Sequence, residues 1–372
     1  MQFSKRLLSA TIALSTMWLG SSESNMASAA TATSADVAAQ EHFSETLKSS
    51  FRNWDENGDG FLTEEELDEA LQDPQIKGNQ AAALAAVRLY ARSKWSKSDL
   101  FDQFSLADLM PVNSETGQTT EAGKKLVSLY EKSLKKIEKA SPMLFASGVP
   151  HIEEIKQGKT GDCYFLSTAG GMAYHTPQRI IEMIQKNDDG SFSVTFPRHK
   201  PISVAAPTDT EIACYSDAGD DGMWIHVLEK AYATYKNKKT KKYAIEPLDV
   251  VTHGGSGARM IMFMTGEACV RYPTSSTSDE DLRKHLQSAL EHNRVVNTGT
   301  SGHCLTILGY DPTSDIVTVW NPWGTTTNYS TVHKDMKNGV FQLSLAELKK
   351  YFVSILPEQD RQWTVADFQK FE

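Results

Sequence analysis

The amino-acid sequence predicts an α+β protein, with a helical N-terminal region joined to a larger region of mixed helix and strand. Three observations carry this reading. Phe43, Leu47 and Phe51 recur every four residues, which places them on one face of a helix, and further helical runs follow to about residue 140. From residue 141 onward Pro, Gly and aromatic residues increase. Within that stretch Ser191-Phe192-Ser193-Val194-Thr195-Phe196 alternates with the period of a half-buried strand. The chain has 372 residues, 40% hydrophobic and 23% charged, so it has apolar material for two or three domains. Its net charge of −9 argues against a general nucleic-acid binder, which needs a basic face.

The first thirty residues stand apart. Lys5 and Arg6 precede an apolar run from Leu7 to Leu19, and Ala27-Ser28-Ala29-Ala30 follows. That is the layout of a secretory signal peptide cleaved near Ala29 or Ala30, with a secreted or periplasmic product expected. The run is too short to cross a bilayer, which takes about 20 residues, and no other stretch qualifies. Integral membrane association is not expected.

Residues 31–37 read as a linker, and the Phe43 helix then runs into an acidic loop. A second helical stretch carries Leu67 and Leu71. Residues 78–94 form another helix, 105–110 a short one opened by Ser105 and Asp108 as a capping box, and 121–140 a Lys-rich one whose charges read as a solvated face. The expected division is a signal peptide at 1–30, a helical region at 31–140, a core at 141–357 and a tail at 358–372. Within the core a first lobe spans about 141–265 and a second about 266–357.

The loop from Asp55 to Glu66 fits the calcium-binding EF-hand. Asp55, Asn57, Asp59 and Thr63 place oxygens at positions one, three, five and nine; the Phe61 carbonyl sits at seven, and Glu66 offers a bidentate carboxylate at twelve. Gly60 permits the turn at position six. Calcium takes six to eight hard oxygen ligands, so a flexible acidic loop between helices suits it. Aligning Phe104 and Asp108 with Leu62 and Glu66 puts Lys97 and Asp102 where a second hand needs a ligand and a glycine. The second loop therefore reads as a degenerate partner hand or an ordinary helical linker.

Four cysteines occur: Cys163, Cys214, Cys269 and Cys304. They are too few for a disulfide scaffold, and none has the CxxC spacing of a structural zinc site. Cys163 ends Gln157-Gly158-Lys159-Thr160-Gly161-Asp162-Cys163, where the pattern turns helical. A cysteine at a helix N-terminus sits against the positive end of the dipole, which favours thiolate. Gln157 is placed to make an oxyanion hole with the Cys163 N–H. His303 follows 140 residues later in an alternating segment, and Val319-Trp320-Asn321-Pro322-Trp323-Gly324 comes next. Asn321 would orient the histidine and Trp323 would shield their hydrogen bond. The order Cys, His, Asn at these separations is the papain-type arrangement. Cys304 should face away from His303 and be structural.

These segments resemble the protease core of calpains, which share the Gln-Gly-x-x-Gly-Asp-Cys and Asn-Pro-Trp-Gly patterns. Trp224-Ile225-His226-Val227-Leu228-Glu229-Lys230-Ala231-Tyr232, His253-Gly254-Gly255-Ser256-Gly257, Phe263-Met264-Thr265-Gly266 and Gly339-Val340-Phe341 add to the resemblance, which covers about 145–357. It implies a two-lobed papain-like fold, calcium as cofactor, and protein or peptide substrates cleaved by a Cys163–His303–Asn321 triad. It also implies an acidic calcium ligand in the core at Glu154; at the second such position stands Gly222, with Asp220 and Asp221 beside it. Two other readings are a catalytically inactive calcium-binding module and a transglutaminase-like acyl transferase.

Overall fold

The computed structural model describes residues 34–95, 103–158, 160–240, 250–324 and 337–371. The expected signal peptide, Lys97 and Asp102 lie outside the described residues. Helix Ser34–Trp54 starts inside the stretch read as a linker, because Asp36 places a carboxylate at the positive end of its first turn. Phe43 and Leu47 are fully buried and Phe51 nearly so, packed against helix Gly78–Trp95 through Ala83, Val87 and Tyr90. Helix Glu121–Lys139 closes this cluster with Leu126, Leu129 and Tyr130.

Between the first two helices the chain makes a short strand, Phe61–Thr63, that pairs antiparallel with Gln103–Ser105. Leu62 lies opposite Phe104, and both side chains are buried. Each strand leads directly into a helix opened by a capping box, Thr63 with Glu66 and Ser105 with Asp108.

The core has two lobes. The first holds helices Cys163–His175, Trp224–Thr240 and Gly257–Thr265 and a three-stranded antiparallel sheet, 184–186, 192–194 and 202–204. The second is a seven-stranded sheet in which strands 340–344, 316–320, 303–311, 296–300, 354–362 and 267–269 are successive neighbours, with 272–273 paired to 354–362. The described residues of the expected tail, 358–371, are folded. Strand Ser354–Gln362 runs through that boundary, pairing Glu358 with Cys269 and Gln362 with Glu267. Helix Val365–Gln369 is then fixed by a Thr364–Asp367 capping box and by both terminal nitrogens of Arg361 on Asp367. A free segment there would leave the sheet's backbone donors unpaired.

The lobes meet along one face of helix Cys163–His175. An added Cβ on Gly170 would come within 2.6 Å of the Trp320 ring, so only glycine lets the helix lie this close to the sheet. Buried hydrogen bonds stitch the seam: Ser167 Oγ donates to the Cys304 carbonyl (2.8 Å) and Asn297 Nδ2 to Thr168 Oγ1 (2.9 Å).

Candidate active site

Cys163 is the first residue of its helix and His303 the first of strand His303–Asp311. Both line one open cleft of about 300 Å³, bounded by Gly254–Ala258 on one side and Thr298–Gly302 on the other. The His303 Nε2–H donates to Asn321 Oδ1 at 2.8 Å. With the proton on Nε2, Nδ1 carries the lone pair and is the basic nitrogen. Asn321 is fully buried; its N–H donates to the Gly339 carbonyl at 2.9 Å, and its Oδ1 also accepts the Trp323 N–H at 3.1 Å. The Trp323 indole stacks on the His303 ring, centroids 3.8 Å apart and planes 20° apart.

The loop before the cysteine is pinned at both ends. Gln157 N–H donates to the Pro322 carbonyl (2.7 Å), joining it to the Asn321 turn, and Gly161 N–H donates to the Thr252 carbonyl (2.8 Å). The Gln157 side chain does not line the cleft. Its amide nitrogen donates to the Thr160 carbonyl at 2.5 Å, and its Oε1 is buried with no donor among the described residues.

Electrostatics here differ from the expectation of a depressed thiol. Burial pushes the Cys163 thiol up; the Cys304 N–H opposes this and Asp162 adds to it. Burial lowers His303, with the Asn321 hydrogen bond working against it. Desolvation is the largest influence on both groups, and it disfavours the charged form of each. All four cysteines are free thiols, Cys214, Cys269 and Cys304 being buried. Cys304 is pushed up to about 12 by burial.

In the acidic loop, Asp55 Oδ1 and Oδ2 accept the N–H groups of Asp59 (3.1 Å) and Gly60 (2.9 Å). Asn57 Oδ1 accepts Asp59 N–H, and Asp59 Oδ1 accepts Phe61 N–H. Glu66 spans the loop, Oε1 to Asn57 N–H (3.3 Å) and Oε2 to Thr63 N–H (2.9 Å). Gly60 has φ +86°, the left-handed turn position six demands. Among the described residues no three His, Cys, Asp or Glu side chains are gathered as a metal-holding group. The donors are nevertheless all oxygen on a folded loop, the chemistry of a hard cation. In the core, Glu154 is held by Lys139 at 2.7 Å, while Asp221 accepts from His151 N–H (2.7 Å) and Trp224 Nε1–H (3.0 Å). Glu154 and Asp221, two of the carboxylates expected near a core calcium, are thus engaged by protein donors.

Sequence reasoning missed a set of buried polar residues behind the cysteine, Asp162, Ser216, His226 and Glu229, with the half-buried Lys136 beside them. Lys136 falls on the face expected to be solvated, yet its ammonium turns inward onto the Tyr215 carbonyl. The Glu229-Lys230 pair inside an otherwise apolar helical run was the available signal.

The family model described as calpain family cysteine protease matches residues 111–339, more than half of the chain. The match takes in helix Glu121–Lys139, which was expected to belong to the preceding region. Calpain-13 of Rattus norvegicus is 24% identical over 260 residues, covering 60% of this chain and 37% of that protein. The chain thus aligns with little more than a third of that relative's length.

Proposed function

The chain belongs to the calpain family of cysteine proteases, and from that premise we propose that it is a calcium-binding endopeptidase with Cys163 as nucleophile, His303 as base and Asn321 as orienter. The observation that carries this is the 2.8 Å His303–Asn321 bond at the edge of the cleft that Cys163 lines. His303 Nδ1 takes the thiol proton as sulfur attacks the peptide carbonyl, and then gives it to the leaving amine; water hydrolyses the thioester with the same base. Raised thiol and lowered imidazole favour this concerted proton transfer over a standing ion pair. The Cys163 N–H, at the helix N-terminus, is one oxyanion donor. Gln157 is the second, once its amide leaves the Thr160 carbonyl, and Trp323 keeps water from the His303–Asn321 bond.

Asp55, Asn57, Asp59, Thr63, Glu66 and the Phe61 carbonyl would hold Ca²⁺, which when bound supplies a structural crosslink between the two flanking helices. The pairing of 61–63 with 103–105 supports an EF-hand with a degenerate partner. We read this hand as a clamp that stabilises the chain, not as a switch for its activity. Protein or peptide substrates are expected, and residues 1–30 would direct export. The test is casein hydrolysis by the purified chain, in calcium and in EGTA, with and without an amine acceptor. Release of peptides supports the proposal; acceptor incorporation without release, or no turnover in either condition, refutes it.

A further inference from the structure

Asp162 immediately precedes Cys163 and is fully buried. It occupies the N-cap position of the cysteine helix, yet its side chain makes no capping bond, and neither of its carboxylate oxygens has a donor among the described residues. Within hydrogen-bonding reach lies Glu229, also fully buried. Its Oε2 accepts the Ser216 hydroxyl and its Oε1 has no donor among the described residues. Two buried carboxylates in contact cannot both be ionised, because desolvation and mutual repulsion both disfavour the second charge. A single proton between them satisfies the orphaned oxygens with a strong charge-assisted hydrogen bond.

One negative charge remains on such a pair. Lys136, from helix Glu121–Lys139, donates to the Tyr215 carbonyl; burial lowers it, and Asp217, then Glu229, Cys214 and Asp162, work against that. Besides Asp162 and Glu229, the titratable groups around it are Asp217 and Cys214. His226 completes the surroundings: burial, then the Lys136 charge, push it down to about 4, so it is neutral and donates through Nε2 to the Ser216 carbonyl at 2.7 Å. Lys230 is paired with Glu211 at 2.7 Å.

We propose that Asp162 and Glu229 share one proton and act as positioning residues for Cys163, with Lys136 as the counter-ion supplied from outside the lobe that carries them. Only the consequence for catalysis rests on Cys163 being the nucleophile; the proton-sharing pair stands without it. Burial, then Asp162, hold Glu229 well above the usual carboxylate range. Asp162's charge opposes thiolate formation, so sharing the proton and balancing the remainder with Lys136 keeps Cys163 ionisable. Helix Glu121–Lys139 is on this account part of the active-site support.

The test replaces the shared proton by a fixed donor. Glu229→Gln puts an amide N–H against Asp162 and leaves a carbonyl for Ser216. A group whose folded pKa is raised contributes stability at low pH and loses it as pH rises through the folded value. The melting temperature of wild type should therefore fall relative to Glu229→Gln as pH is raised toward 9.5, and the infrared spectrum of wild type at neutral pH should carry a protonated-carboxyl band. Lys136→Met should move the pH midpoint of Cys163 alkylation by iodoacetamide upward, with Lys136→Arg restoring it. A stability gap independent of pH, no protonated-carboxyl band in wild type, or an alkylation midpoint unmoved in Lys136→Met would overturn the proposal. If Glu229→Gln does not fold, the wild-type infrared band and the Lys136 series still decide. None of these readouts needs peptidase turnover, so failure of the pair and failure of the protease assignment are distinguishable.

Discussion

The indole of Trp323 lies nearly parallel to the imidazole of His303, 3.8 Å from it, while remaining about half exposed to solvent on its other face. The ring therefore covers one face of the histidine, and the backbone N–H of Trp323 donates to Asn321 Oδ1. Trp323→Ala should cost turnover by about 0.5–1.5 kcal/mol, the worth of such a stacked pair, with little change in melting temperature. Steady-state kinetics on a peptide substrate measure it; full activity in the variant would sink the shielding role.

Cys163→Ser should abolish hydrolysis with the fold retained, because an alcohol beside the same imidazole is a far weaker nucleophile. Cys163 is the half-buried thiol among the four, so brief alkylation of the native chain should modify it first and stop activity in step. Mass spectrometry showing Cys214, Cys269 or Cys304 labelled ahead of it would contradict this.

His303→Ala should be more damaging than Asn321→Ala, since the histidine still moves protons when its tautomer is less firmly held. Asn321→Ala also removes the acceptor for both His303 and Trp323, so a fall in kcat larger than any change in KM is expected. Wild-type turnover in Asn321→Ala would mean the orienter lies elsewhere.

Glu66→Gln should weaken calcium binding, because a neutral amide removes the charge and the bidentate coordination at loop position twelve. On the clamp reading the variant melts at lower temperature in calcium, while the calcium dependence of activity stays put. Titration calorimetry decides the first point: an isotherm identical to wild type removes the calcium assignment.

His226 gives a pH signature. Its folded pKa is depressed to about 4 by burial and by Lys136, against 6.5 ordinarily, so the unfolded chain takes up the proton first as pH falls. Stability from this site is present above pH 6.5 and is lost between there and about 4, in total roughly 3 kcal/mol. Urea unfolding at pH 7 and pH 5 should show a loss that shrinks in His226→Gln; equal losses in both chains would argue against it.

Local signals were enough for much of this protein. The spacing of Phe43, Leu47 and Phe51, the twelve residues from Asp55 to Glu66, and the runs around Cys163, His303 and Asn321 each state their chemistry within a few positions. Helix periodicity, turn geometry and ligand spacing are short-range properties, so the α+β class and the candidate residues were legible. The alignment of Leu62 with Phe104 also came from spacing alone, and these residues face each other across the strand pair. What the tertiary structure alone decided depends on groups far apart in sequence. The Gln157 amide turns to the Thr160 carbonyl in a loop pinned to Pro322, and the thiol is raised chiefly because the packed chain desolvates it. Residues 358–362 join the sheet because their partners lie near residue 268. Lys136 turns from the expected solvated face to the Tyr215 carbonyl, a partner 79 residues away that no window along the chain contains.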